Sequence, residues 1–201
     1  MKTAIGCVAV VALVVGIGVF YGLGLYNGLV GAEQEVDKAW ANVEAAYQRR
    51  ADLIPNLVAT VKGASEFEQE TLNQVIEARA KATGTSIAAT PELLNDPNAF
   101  ARFQAAQDGL SSALSRLLVV VERYPELKAV AAYQDLMVQL EGTENRITVE
   151  RTRYNEAAKA LNTRIKRVPA AWFIQWFGWS FSEKSYFAAQ EGAETAPRVQ
   201  F

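Results

Sequence analysis

The feature that most constrains the fold is an uninterrupted apolar run near the amino terminus, from Ala4 to Tyr26, with no charge between Lys2 and Glu33. As an α-helix this run would be about 34 Å long, and the hydrocarbon core of a bilayer is about 30 Å thick. A cleaved signal peptide is the alternative, but the segment before the run is very short and no small-x-small site precedes a polar stretch. We therefore predict a retained transmembrane anchor over residues 1–28.

Pairs of glycines spaced four residues apart give this anchor two faces on which another membrane helix could approach closely. They are Gly18 with Gly22 and Gly24 with Gly28. Glycine is frequent in membrane helices, so self-association through these faces is one interpretation only. Basic residues favour the cytoplasmic side, and the flank beyond the anchor is mainly acidic, so the charge bias favours a cytoplasmic amino terminus and an external domain.

Beyond the anchor, apolar residues recur in alternating steps of four and three, the spacing of long helices that pack side by side like a coiled coil. No stretch alternates with a period of two for long enough to predict a strand. Because short connections make neighbouring helices antiparallel, we predict an all-α protein with an antiparallel up-down four-helix bundle over residues 29–168. Its helices cover Val36 to Val61, about Glu66 to Ala82, about Pro97 to Val121 and about Lys128 to Lys166.

Pro55 lies inside the first of these helical runs. It could end one helix and start another, with Asp52 as the N-cap. However, the apolar pattern passes from Ile54 to Leu57 without a change of phase. We therefore predict a kinked but continuous helix in which the carbonyl of Ala51 loses its usual hydrogen-bond partner.

Arg50 occupies a core position of the same run, where a buried charge needs a partner. Two heptad patterns in antiparallel helices can be aligned only in steps of seven residues. These alignments place Arg50 level with Met137, Glu144 or Arg151. Only the alignment with Glu144 pairs opposite charges, and it also matches the midpoints of the two helices, so we predict an Arg50–Glu144 pair inside the bundle.

Gln107 and Arg151 are further polar residues on this predicted seam. A buried polar group can fix the alignment of helices, and removal of one partner of a buried pair is strongly destabilising. The alternative is a binding or proton-transfer site. The chain has no histidine, and Cys7 is its single cysteine, so the usual general base and nearly all metal-ligand patterns are missing. We therefore favour the structural role and predict no catalytic residue, cofactor or metal.

An aromatic segment follows the fourth helical run, over residues 169–187, and a tail predicted to be flexible covers residues 188–201. Cations followed by aromatic rings are typical of a segment at a membrane interface. A contact between subunits and a cap over the open end of the bundle are the alternatives. The predicted contact residues are Arg164, Lys166, Arg167, Trp172, Phe173, Trp176, Phe177, Trp179 and Phe181.

The motifs RRADLIPNLV, YPELKA and ENRI followed by RTRYN resemble the LemA family of bacterial membrane proteins, and the similarity extends from Tyr26 to Phe187. The resemblance implies an amino-terminal anchor followed by an antiparallel helical bundle, and it implies no catalytic activity. It also implies an amino terminus outside the cell, opposite to the charge bias. The tryptophan-rich run after Pro169 is heavier than is usual in the family. The matching positions are Arg50, Asp52, Leu53, Ile54, Pro55, Asn56, Leu57, Glu144, Asn145, Arg151, Tyr154 and Asn155.

These patterns predict a non-enzymatic, single-pass protein of the bacterial inner membrane that acts as a homo-oligomeric scaffold. The expected partners are the lipid bilayer, further copies of the chain and, as the alternative function of an adaptor or sensor, another membrane protein. A net charge of −2 argues against nucleic acid as a partner. An enzyme would have to use Glu144, Arg50 and Arg151, and is the least favoured hypothesis.

Overall fold

A computed structural model describes residues 2–63, 68–87 and 91–188. The residues of these ranges form helices, turns and extended segments, with no strand among them, which confirms the predicted all-α class. Glu66, at the expected start of the second helix, and residues 189–201 of the expected tail lie outside the described residues. The elements are α1 (Lys2–Lys62), α2 (Gln69–Ile87), a 3-10 turn (Pro91–Asn95), α3 (Pro97–Val121), α4 (Pro125–Lys128), α5 (Ala131–Lys166) and α6 (Ala170–Phe177).

The apolar run and the first heptad run are parts of one helix, α1, which is 61 residues long. Pro55 lies within this helix, as predicted, and Asp52 accepts a hydrogen bond from Gln48 inside it, so Asp52 starts no new helix. The carbonyl of Ala51, which proline leaves without a backbone donor, accepts a bond of 2.8 Å from Nε of Arg79 on α2. A side chain of the neighbouring helix therefore replaces the missing backbone bond.

The ends of the other helices follow from their local sequences. Asp96 caps α3 by accepting hydrogen bonds from the backbone of Asn98 and Ala99, and Pro97 occupies the first turn, where its missing N–H is harmless. The predicted start of the fourth helix at Lys128 is wrong, because Pro125–Lys128 forms a separate helical turn and α5 begins at Ala131.

The expected end of the second helix at Ala82 is also wrong, because α2 continues to Ile87. The sequence TGTSI predicts a loop. In the structure the hydroxyl of Thr83 bonds to the carbonyl of Arg79, and that of Thr85 bonds to the carbonyl of Ala82. The hydroxyls thus bond back to the preceding turn, as threonines inside a helix commonly do, and α2 stays helical through these residues.

The directions of the long helices follow from their contacts. α1 and α5 are antiparallel, because Arg164 bonds to the carbonyl of Gly28 near one end and Glu144 pairs with Arg50 further along. α2 and α3 are antiparallel as well: the Gln107 amide bonds to the carbonyl of Ala82, and Arg123 pairs with Glu68, which directly precedes α2. α3 runs parallel to α1, since Trp40 packs on Phe100 and Arg50 bonds to Gln107.

Two hydrophobic clusters form the core of these helices, which we call the helical body. The cluster nearer the apolar run is aromatic, with ring centroids mostly 5–6 Å apart. Its rings belong to Trp40, Tyr47, Phe100, Phe103, Tyr154 and Phe187. The second cluster is aliphatic and includes Ile54, Leu57, Leu72, Leu110, Leu114, Leu117 and Leu140.

Candidate functional site

The apolar part of α1 is exposed rather than packed into the helical body. Its large side chains between Val10 and Leu23 are all more than half exposed, up to 82% for Phe20. α1 is long enough and apolar enough to cross a membrane, with a mean hydropathy of 1.9 in its most apolar window. An exposed apolar surface of this extent is unusual for a protein surrounded by water alone.

α6 packs against this exposed stretch of α1. The ring of Phe173 lies 2.9 Å from the point that a Cβ atom would occupy at Gly22, so glycine is required for this approach. Gly18 lines the groove between the two helices. The sequence predicted that Gly18 and Gly22 would receive another membrane helix, and the helix that approaches Gly22 is α6 of the same chain.

The aromatic side chains of the carboxy-terminal segment divide into two groups. Trp172, Trp176 and Phe177 point outward, and Trp176 is 72% exposed. Trp179 and Phe181 pack edge-on against Tyr26 of α1, with ring centroids 5.1 and 5.6 Å away. One group therefore holds the segment against α1, and the other forms an aromatic surface beside the apolar stretch.

Gly178 allows the chain to turn back after α6. Its φ of +64° lies in the left-handed region, where a side chain would be strained, and it ends the helix. The residues that follow are extended and lead the chain back along the helical body.

The three cations before α6 have different partners. Arg164 donates to the carbonyl of Gly28 at 2.7 Å. Lys166 forms an ion pair of 2.7 Å with Glu183, and this hydrogen bond and the nearby negative charge raise the pKa of the lysine. The side chain of Arg167 is exposed and forms no hydrogen bond or ion pair with the described part of the chain.

The extended residues 180–188, which we call the strap, bind the helical body through their backbone. Asn162 donates to the carbonyl of Lys184 and accepts from its N–H. Asn155, seven residues earlier on the same face of α5, does the same with Phe187. Gln104 of α3 repeats the arrangement with Ala188. Three carboxamide side chains thus hold three successive points of the strap.

Two side chains of the strap are buried in the helical body. The ammonium of Lys184 bonds to Glu33 at 3.0 Å and to Asn95 at 2.9 Å. Phe187 stacks on Trp40 within the aromatic cluster. The strap was not predicted from the sequence, although Asn155 belongs to a matched motif and Asn162 follows it at heptad spacing.

A polar network joins α1, α3 and α5 in the middle of the helical body. Arg50 donates to Glu144 at 2.8 Å, to Gln107 Oε1 at 2.6 Å and to Ser111 at 2.7 Å. The Arg50 side chain is 1% exposed, whereas that of Glu144 is 38% exposed. The expectation that the pair lies inside the bundle is therefore wrong for Glu144, which approaches the arginine from the rim.

Arg151 belongs to a neighbouring network. It donates to the hydroxyl of Tyr47 and to Asp108, the latter at 2.9 Å, and its guanidinium lies over the ring of Phe187. Burial raises the pKa of Tyr47 and outweighs the opposite effect of the nearby arginines.

A buried carboxylate on α5 was also missed. Glu150 is 1% exposed and pairs with Arg146 and Arg153, which are both exposed. The described residues contain no group of three or more His, Cys, Asp or Glu side chains that could hold a metal ion. The partners of Glu150 lie on α5 itself, whereas the side-chain bonds of Arg50 and Arg151 join different helices.

The chain is similar to proteins of known families. The profile of the LemA family matches residues 39–201. Magnetosome protein MamQ 2 of Paramagnetospirillum magneticum is 28% identical over 184 residues, which cover 85% of this chain and 67% of that protein. MamQ of Magnetospirillum gryphiswaldense is 26% identical over the same coverage, and protein LemA of Metamycoplasma hominis is 26% identical over 76% of this chain and 65% of its own length. The match covers most of the chain, which therefore belongs to the LemA family.

Proposed function

We propose that this chain is a non-enzymatic, single-pass membrane protein that acts as a homo-oligomeric scaffold on the bacterial inner membrane. The observation that carries the proposal is the continuous apolar surface formed by residues 10–26 of α1 and the outward rings of Trp172, Trp176 and Phe177. Such a surface needs a lipid or protein partner. The related MamQ and LemA proteins carry names that specify no reaction.

The domain attached to this surface is a single up-down four-helix bundle made of residues 29–62 of α1 together with α2, α3 and α5. Contacts between side chains of different helices support this arrangement. Arg50 joins α1 to α3 and α5, and Arg79 joins α2 to α1. The register of the bundle depends on these pairs, and their role is alignment of the helices rather than catalysis.

The bundle is held at the membrane at two points. α1 crosses the bilayer, and α6 lies beside it at the level of Gly22, with its exposed rings at the boundary between head groups and acyl chains. The strap returns from α6 to the bundle and fixes the distance between the two attachments. A bundle that is oriented in this way presents the same side faces in every copy, as a scaffold requires.

The mass and composition of the particle in gently solubilised native membranes test the scaffold. A particle that contains several copies of this chain alone is expected. The double variant Trp172→Ala/Trp176→Ala should yield smaller particles with unchanged helicity, and Ser182→Ala, an exposed change nearby, should leave the particle unaltered. A monomer, or a second protein in fixed ratio, would contradict the scaffold, and the second result would favour an adaptor.

A further inference from the structure

A second groove lies where α1 meets the turn between α5 and α6. Its volume is about 320 Å³, and Tyr21, Gly24, Leu25 and Gly28 of α1 line one wall while Arg164 and Arg167 line the other. We call it the arginine groove. It is distinct from the groove between α1 and Phe173, and it combines an apolar floor with a cationic end.

The glycines keep the floor of the arginine groove open. A Cβ atom placed on Gly24 or Gly28 would meet nothing within 4 Å. No neighbour among the described residues therefore explains the absence of a side chain at these positions. By contrast, the approach of Phe173 accounts for Gly22.

The cationic end offers donors that the described residues leave unused. Arg164 donates one N–H to the carbonyl of Gly28 and forms no ion pair among the described residues. Arg167 is exposed and likewise has no carboxylate partner in that part of the chain. Lys166, between them, is already paired with Glu183. Two guanidinium groups with free donors match the geometry of a phosphate, which accepts paired hydrogen bonds.

We propose that the arginine groove binds an anionic phospholipid, with its phosphate on Arg164 and Arg167 and one acyl chain along Gly24 and Leu25. The proposal rests on the proposed function, since it needs α1 to cross the bilayer. In that arrangement Gly28 lies just beyond the apolar run and thus at head-group level. A zwitterionic lipid such as phosphatidylcholine would place its positively charged ammonium beside the two arginines. The site therefore selects a lipid whose head group carries a net negative charge.

The test measures the lipids retained by the purified full-length chain. The protein is reconstituted in an equimolar mixture of phosphatidylglycerol and phosphatidylcholine, extracted gently, and weighed by native mass spectrometry. The wild type should retain phosphatidylglycerol in preference. Arg164→Gln/Arg167→Gln should reduce the retained phosphatidylglycerol about tenfold, the loss expected on removing charge-assisted hydrogen bonds. Gly24→Leu, which fills the floor at constant charge, should also reduce it.

Arg102→Gln/Arg116→Gln is the matched control, since both arginines are exposed on α3, lie outside the groove, and their loss removes the same two charges. Retention by the control as in the wild type supports the site. Equal loss in the control, equal retention of both lipids by the wild type, or unchanged retention in the double arginine variant would overturn it. Quenching of Trp172 and Trp176 by brominated lipid is measured on the same samples and tests the membrane placement of α6. If the tryptophans are quenched but no lipid is retained selectively, only the lipid site is overturned, and the proposed function stands.

Discussion

At the scale of single residues, an arginine from another helix replaces the backbone hydrogen bond that proline removes from α1. Pro55 cannot donate to the carbonyl of Ala51, and Arg79 donates to that oxygen instead. The sequence predicted the free carbonyl. It could not predict the donor, because Arg79 lies on a different helix and its level relative to Ala51 depends on the packing of α1 against α2.

This compensation can be measured with a double-mutant cycle. Arg79→Leu should lower the free energy of unfolding by about 1.5 kcal/mol, because it leaves the Ala51 carbonyl without a donor. In a Pro55→Ala background the new N–H bonds to that carbonyl, so the same change should have less than half the effect. The free energy of unfolding is measured by urea denaturation. If Arg79→Leu lowers it equally in both backgrounds, Arg79 acts through other contacts.

The Arg50 network makes a second prediction at this scale. Glu144→Leu should lower the free energy of unfolding by about 2 kcal/mol, because it removes the counter-charge of a buried guanidinium. The loss is smaller than for a fully buried pair, since Gln107 and Ser111 still accept from Arg50 and Glu144 reaches solvent.

The matched control for Glu144→Leu is Glu35→Leu, because Glu35 pairs with Lys38 and both side chains are well exposed. Its effect should stay below about 0.5 kcal/mol. The double variant Glu144→Leu/Arg50→Met should lose less free energy of unfolding than the sum of the losses in the two single variants. A melting temperature unchanged by Glu144→Leu would contradict the pairing as a source of stability.

At the scale of elements, the strap determines how α6 is tied to the helical body. Its backbone is held by Asn162, Asn155 and Gln104, and Phe187 anchors it in the aromatic cluster. Because the long helices also pack on one another through the two hydrophobic clusters, loss of these contacts should release the strap locally and leave the long helices folded.

Phe187→Ala tests this local release. The substitution should speed the hydrogen exchange of the Lys184 and Ser185 amides at least about tenfold, because the buried ring anchors the segment that these amides belong to. Exchange in the middle of α1 should stay unchanged. Ser182→Ala, an exposed change in the same segment, should leave all rates as in the wild type. Protection retained at Ser185 after Phe187→Ala would show that the strap does not depend on the ring.

The elements differ in how far the sequence could predict them. The long heptad runs predicted the all-α class, the continuity of the first bundle helix through Pro55 and the alignment that places Arg50 level with Glu144. The strap has no periodic pattern, because its bonds join backbone atoms to side-chain amides of α3 and α5. The last turn of α2 was missed because a run rich in glycine and threonine predicts a loop, whereas in the structure the hydroxyls of both threonines bond back to the preceding helical turn.

The packing of α6 against α1 could not be predicted from the sequence. The sequence identified the rings of the aromatic segment and the glycines of α1 as separate features. Their contact depends on the left-handed turn at Gly178 and on the close approach of Phe173 to Gly22. A glycine directly after a helix is a local signal for such a turn, but the approach of Phe173 to Gly22 is a tertiary feature with no signal in the local sequence.

At the scale of the whole molecule, α1 passes without a break from the apolar run to the far end of the helical body. Its length is about 90 Å at 1.5 Å per residue. α5 runs back along it, and α6 ends beside the apolar run. In the proposed arrangement, the orientation of the body is therefore fixed by a continuous helix and by a second contact with the bilayer.

The measurement that tests this account most directly is the quenching of tryptophan fluorescence by brominated lipids in reconstituted vesicles. The wild type should be quenched by bromine atoms placed close to the head groups. Quenching should weaken in Trp172→Phe/Trp176→Phe and disappear when Trp179→Phe is added. The last variant retains Trp40 alone, which is 6% exposed within the helical body. Quenching that is absent in the wild type, or unaffected by loss of Trp172 and Trp176, would contradict the placement of α6 at the membrane.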